Sequence, residues 1–313
     1  MNSKISRENF DIQQPYKPSS ESEIKFETYR FYLECYKRYL IDRYHSWQNF
    51  ALEAFQHSSN LQGIKSFDSR WIERFLKISW NTEYLIGVGS NDSEILRINN
   101  QWIPIQSYYS VYTASEAFAY VLDGYKADSH HKALRKVADY FVKSGLDPWD
   151  KAYQGARGKR GNEHKPVNFP QNIQIPHNLQ RRNVTPLEMI AKCLKAEHFH
   201  RIDDIWDKSC GIPKYKFDPG YTGLFHFLYR LRIKSNYEEV DLFISEAPES
   251  NIRNFYEALL TLCFWSLLYL EILIIRKCKK KYIIDAGIKY ININPRADFL
   301  RKRIEFYRDL LKY

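Results

Sequence analysis

From Ile252 to Ile274 the chain reads IRNFYEALLTLCFWSLLYLEILI, and this stretch decides the fold. Between Ala258 and Leu270 thirteen consecutive residues carry no charge; Glu257 and Glu271 bound them, and Arg276, Lys277, Lys279, Lys280 and Lys281 follow. A spanning helix wants about twenty apolar residues, and carboxylates at both ends of so short a run are costly in hydrocarbon. The segment is therefore read as a buried core helix from about Ile252 to Lys281, not a membrane span. Ser250 or Asn251 is its expected N-cap, and the basic residues at its far end suit the helix dipole.

Working outward, the same period recurs. Ser22 to about Phe55 places Tyr29, Tyr32, Tyr36, Tyr39 and Leu40 on one helical stripe, and WIERFLKISW (71–80) repeats the pattern. QSYYSVYTASEAFAYVLD (106–123) puts Ser110, Ala114, Ala117 and Val121 in register for close helix packing, and Gly124 ends it. His130 to Val142 supplies an antiparallel partner, and Pro186–Phe199, Gly223–Leu231 and Asp298–Leu311 read as further helices. Gly87 to Trp102 reads as a turn. Its Gly87-x-Gly89-Ser90 lacks the Gly-Lys-Ser/Thr of a phosphate loop. Short strands are expected only at Tyr282–Ile284 and Ile288–Ile293. The class is mainly α. The expected organisation is a flexible leader (1–22), an N-terminal helical extension (23–104), a helical core (105–281) with a loop insertion (150–185), and a basic helical tail (282–313).

Charge supplies the second clue. The chain has 313 residues with 47 Lys+Arg against 37 Asp+Glu, a net of +10, which favours polyanions through counterion release. Lys151 to Asn183 carries seven basic residues, Lys151, Arg157, Lys159, Arg160, Lys165, Arg181 and Arg182, against Glu163 alone, a net of +6. It is a candidate phosphate clamp or a solvated insertion. Arg276 to Tyr313 has twelve basic residues against four acids, a net of +8. Five scattered cysteines without a Cys-x-x-Cys pair, and no signal-peptide pattern, read as reduced thiols of a cytosolic protein. His198-Phe199-His200 and His226 read as satisfied polar positions, not metal ligands, and Arg38-x6-His45 as surface residues.

Four segments in order, SYYSVYTASEAFAYVLDG, HHKALRKVADYF, LFHFLYRLRIKSNYEEVDLFI and IRNFYEALLTLCFWSLLYLEILI, resemble the HEPN superfamily over roughly residues 105 to 280. The resemblance implies an antiparallel helical bundle with a Leu-Arg-x-x-Ser-x-Tyr turn. It also implies a last core helix that opens with Arg, a polar residue, three variable positions and His. It further implies a metal-independent endoribonuclease without cofactor, working on single-stranded RNA or tRNA as a homodimer with a composite site, under a cognate antitoxin or regulatory subunit. An imidazole can move the proton of a ribose 2′-OH while a guanidinium grips the phosphate, so no metal is required. By resemblance Arg253 is the phosphate-gripping arginine, Asn254 the polar residue beside it, and Arg232, Asn236 and Tyr237 line the cleft.

The histidine falls at position 258, where this chain has Ala258. Either a histidine has been exchanged to tame a toxic nuclease, or the chain is a naturally inactive member that binds RNA or a partner protein. The surviving motif favours the first. The plainest structural account has Arg253 in the first turn of a core helix, paired with Glu257.

Overall fold

The computed structural model describes residues 21–60, 67–88, 92–124, 126, 129–155, 164–176, 184–208, 219–244, 247–278 and 281–310. They form a mainly α-helical protein with one small sheet. Its axis is the helix spanning Glu249–Lys277, about 43 Å long at 1.5 Å per residue. By length and composition it could cross a membrane, but 83% of its most apolar window is buried inside the protein. Leu259, Leu262, Cys263, Leu267, Tyr269 and Leu273 are completely inaccessible.

Helices α1 (Glu21–Tyr44), α2 (Trp47–His57), α3 (Ser69–Val88) and α5 (Trp102–Asp123) surround that axis. The small residues of α5 do what their spacing predicts. Ser107, Ser110, Ala114 and Ala117 are fully buried. Ser110 Oγ donates to Ser79 O at 3.0 Å on α3, and Cys263 Sγ lies 3.9 Å from Ser107 O. Gly124 ends α5 in the left-handed region (φ 77°), which an L side chain rarely adopts. Helix α6 (His130–Ser144) folds back on α5, capped by Ser129 Oγ. One core cluster runs from Phe26 to Leu310 and draws the N-terminal helices and the tail into the same interior.

Several expectations are corrected. The first aromatic helix is two, because His45 takes φ 63° and Ser46 recaps the chain by accepting from Asn49 N. The 87–102 turn contains α4 (Ser93–Asn99), capped by Asp92, whose carboxylate accepts from the Glu94 and Ile95 amides. The expected strands at 282–284 and 288–293 are a single helix, α11 (Lys281–Ile293). Ile283, Ile284, Ala286, Tyr290 and Ile291 fall at helical spacing and are buried, so packing overrides their β-branched preference. Ile304 Cδ1 lies 2.4 Å from where a side chain on Gly287 would begin. The axial helix, α10, starts earlier than expected, with Pro248 as N-cap; Asn251 Nδ2 instead donates to Glu27 Oε1 on α1 at 2.8 Å. The insertion carries two strands, β1 (Ala152–Gln154) and β2 (Lys165–Val167), antiparallel in the register Tyr153↔Pro166. A third, β3 (Thr222–Gly223), pairs on the other side of β1 after α7 (Pro186–Lys208).

Helix α12 (Asp298–Leu310) is fastened by a buried charge network. Arg303 reaches Glu83 Oε1 at 3.1 Å and Oε2 at 2.6 Å, and Glu271 Oε1 at 3.3 Å. Glu271 also accepts from Trp80 Nε1 and Tyr307 Oη, at 2.8 and 2.6 Å. Two carboxylates share one guanidinium, and Glu83 is the less supported. Burial pushes its carboxyl up to about 7 against the pull of Arg303, and Glu271 adds to the rise.

The consequence for pH has a definite sign. Between the unfolded value near 4.5 and the folded value of about 7 the native state keeps a proton that the unfolded chain has lost. Stability contributed by this group is therefore present at acid pH and is lost as pH rises through that window. Urea unfolding near pH 5 and near pH 8 should show this fall, and Glu83→Gln should flatten it. An unchanged slope in the variant would assign the pH dependence elsewhere.

Candidate functional site

The sequence Leu231-Arg232-Ile233-Lys234-Ser235-Asn236-Tyr237 builds the most unusual local geometry in the molecule. Helix α8 (Leu224–Ile233) does not stop at a turn but passes into a π-helical segment, Lys234–Glu238, closed by Glu239 N donating to Lys234 O at 2.8 Å. Such widened turns concentrate at functional sites. Here Arg232 and Tyr237 are brought into one cluster with α5. The Arg232 guanidinium lies 5.3 Å from the Tyr109 ring centroid, 5.7 Å from Tyr237, 5.8 Å from Tyr229 and 5.9 Å from Tyr108. Its Nη2 donates to Tyr109 Oη at 3.0 Å, while Nε is buried with no hydrogen-bond partner among the described residues. Tyr237 is 65% exposed and gives the cluster an open aromatic face.

His130, the first residue of α6, completes the group. Its Nδ1 lies 2.6 Å from Tyr108 Oη, and its ring centroid lies 4.3 Å from that of Tyr112, whose hydroxyl donates to Glu116. Burial, then the positive Arg232 and the neighbouring His131, hold the His130 pKa below the usual value, so the ring is neutral at neutral pH. Burial keeps the Tyr108 phenol protonated. When Tyr108 accepts from Nδ1–H, Nε2 offers a lone pair; when it donates, Nε2 carries the proton. One imidazole can therefore serve as base or acid beside a fixed cation.

The residues placed by resemblance on α10 are arranged differently. Arg253 is partly exposed, with Nη2 at 3.1 Å from Ser93 Oγ and 3.4 Å from Glu249 Oε1. Its partner on the helix is thus Glu249, one turn before it, while Glu257 pairs with Lys37 at 3.2 Å. Asn254 faces solvent, but Ala258 is completely buried between Phe255 and Leu262 on the core side. Arg253 and Asn254 therefore share an open surface that Ala258 does not reach. A histidine at 258 would have to force its ring into a filled interior. Ala258→His is expected to cost about 1–3 kcal/mol through overpacking and to bring no gain in RNA cleavage. An unchanged urea midpoint would reveal room that the packing does not show.

Arg157, Lys159, Arg160, Arg181 and Arg182 lie outside the described residues, as do Gly89 and Ser90. Of the described members of the basic segment, Lys165 is exposed. Lys151 is buried between Asp147 and Asp150, at 3.2 and 3.1 Å, and is withdrawn from any phosphate clamp. The tail's charge is also partly spent inside. Arg276 caps the end of α2 through Phe55 O at 2.6 Å and covers the Phe55 ring, and Arg303 is buried. Arg38 pairs with Asp42, and His45 is exposed where the chain passes from α1 to α2, consistent with surface roles. Among the described residues no group of three or more His, Cys, Asp or Glu could hold a metal ion.

No protein-family model matches this chain, and no curated protein and no solved structure matches it either. Nothing along the chain singles out His130, which reads only as the first residue of a helix. Its signal lies in the Tyr108, Tyr109 and Tyr112 spacing, which presents three phenol rings to whatever packs across that face of α5.

Proposed function

We propose that the chain is a HEPN-like RNA-binding protein that cleaves RNA without a metal ion, with Arg232 and His130 as its working pair. The observation that carries this reading is a guanidinium set among four tyrosines, with the His130 imidazole packed on the same tyrosine rings. RNA offers the matching groups: unstacked bases for the exposed Tyr237 face, and phosphates for Arg232. In the step, His130 Nε2 takes the ribose 2′-OH proton and the 2′-oxygen bonds to phosphorus. The P–O5′ bond breaks, and the leaving 5′-oxygen gains a proton from the imidazolium or from water. The products are a 2′,3′-cyclic phosphate and a 5′-hydroxyl. Arg232 balances the charge that grows on the phosphoryl oxygens.

Fluorescence anisotropy with a labelled single-stranded RNA in EDTA tests the binding half. Arg232→Ala should weaken binding by about tenfold or more, the value of a charge-assisted contact. Equal affinity of the variant would remove the site. The burial of Ala258 favours a second reading, an RNA-binding module without cleavage; binding that depends on Arg232 with no 2′,3′-cyclic product would establish it.

A self-association surface accompanies this proposal. Leu85, Val88, Ile98 and Trp102 are 58%, 58%, 64% and 48% exposed and fall close together in the sequence around α4. A homodimer that covers these side chains predicts that Ile98→Glu shifts the light-scattering mass to that of a single chain. A wild-type chain already monomeric at micromolar concentration would refute it.

A further inference from the structure

A second histidine site lies at the small sheet, between α7 and β3. His198 on α7 is fully buried, with Nδ1 at 3.0 Å from Thr222 Oγ1 on β3 and Nε2 at 3.0 Å from Nδ1 of the partly exposed His164. Arg201 Nη1 donates to the same Thr222 oxygen at 2.6 Å, and its guanidinium is held by the Tyr221 and Pro219 carbonyls at 3.1 and 2.7 Å. Two proton directions satisfy this relay, because Thr222 Oγ1 keeps a second lone pair beside the one that Arg201 occupies. In the direction that makes His164 a donor, the Thr222 hydroxyl gives its proton to His198 Nδ1. His198 then carries its proton on Nε2 and donates to His164 Nδ1. His164 must in turn carry its own proton on Nε2, the nitrogen turned away from the relay.

Two more features surround that N–H. Phe199 lies 5.2 Å from the His164 ring, centroid to centroid, and is 39% exposed where an aromatic ring would ordinarily be covered. Gly155 leaves room for the imidazole pair: a Cβ there would sit 2.4 Å from His164 Nδ1 and 3.1 Å from His198 Nε2.

We infer that His164 and Phe199 form a nucleotide subsite, in which His164 Nε2–H donates to a phosphate oxygen and Phe199 stacks the adjoining base. The inference rests on the RNA reading and extends it to a second contact point, whose role is binding and not bond cleavage. A neutral donor of fixed direction suits a backbone phosphate, and an uncovered ring accepts any base. His198, Thr222 and Arg201 are positioning residues that act through the His164 tautomer.

The test uses the full chain labelled with ¹⁵N-histidine, probed with a 5′-phosphorylated uridine dinucleotide and, separately, with inorganic phosphate. Ring ¹⁵N signals should show His164 protonated on Nε2, and the dinucleotide should move the His164 signals. His164→Gln, Phe199→Leu and the near-isosteric Thr222→Val should each weaken dinucleotide binding at this point by about threefold to tenfold. Thr222→Val should also disturb the tautomer, which a purely structural role would not do. Arg232→Ala should leave the His164 response intact. If RNA binds through Arg232 while His164 stays silent, the subsite is refuted and the RNA reading stands. If phosphate moves His164 but the dinucleotide binds no better, the stacking role of Phe199 is refuted. If no RNA binds anywhere, both fall together.

Discussion

Replacing His130 by glutamine is expected to lower the rate of RNA cleavage in EDTA by about 10²- to 10⁴-fold, the usual worth of a positioned general acid or base. Glutamine keeps a polar group within reach of Tyr108 Oη, so the aromatic cluster should hold its shape and RNA affinity should change little. Arg232→Ala, in contrast, should lower affinity and rate together, because on the proposed reading the guanidinium would touch the phosphate in both ground and transition states. The pH profile separates a chemical role from a structural one. His130 sits below its usual pKa of 6.5, so the acidic limb of kcat/KM should lie below that pH and disappear in the glutamine variant. Cleavage that survives in His130→Gln would place the chemistry elsewhere.

The second large effect concerns stability. Arg303→Ala should cost about 3–5 kcal/mol, because it strands the buried Glu83 and removes one partner of Glu271. Glu271 retains the Trp80 and Tyr307 donors, so the damage centres on Glu83. Replacing the three charges together, Arg303→Met with Glu83→Leu and Glu271→Gln, should recover most of the loss, since no uncompensated charge then remains. Urea unfolding of the two variants measures this. A single substitution costing less than about 1 kcal/mol would show that Glu83 simply takes up a proton and needs no partner.

Much of the helical framework is legible without coordinates. Apolar residues at helical spacing and the glycine after Asp123 announce α5 and α6, because local propensity agrees there with burial. The helix that carries the run from Ala258 to Leu270 is long and apolar enough to cross a membrane, yet 83% of its most apolar window is buried inside the protein. Legibility fails where tertiary contacts overrule local preference. The isoleucine-rich 282–293 segment reads as strand but is helix, because Ile283, Tyr290 and Ile291 find a core on one side. Net charge misleads for a related reason. Lys151, Arg276 and Arg303 add to the basic total, yet each is engaged inside or against the protein, so counting charges overstates what RNA could meet.

The α10 stretch around Arg253 shows where the boundary lies. Sequence alone determined that 252–274 is an apolar helix, because thirteen consecutive residues carry no charge and carboxylates bound them, while packing decided that it lies inside the protein. It also marked Arg232 and Tyr237 as a turn worth attention. Only the tertiary structure decided that Ala258 points inward, that Lys234–Glu238 widens into a π-helical turn, and that His130 reaches Arg232 from a different helix. Periodicity is a property of neighbouring residues and can be read along the chain. The meeting of Tyr108, His130 and Arg232 depends on how three helices pack, and that is set by the summed fit of side chains distant in sequence.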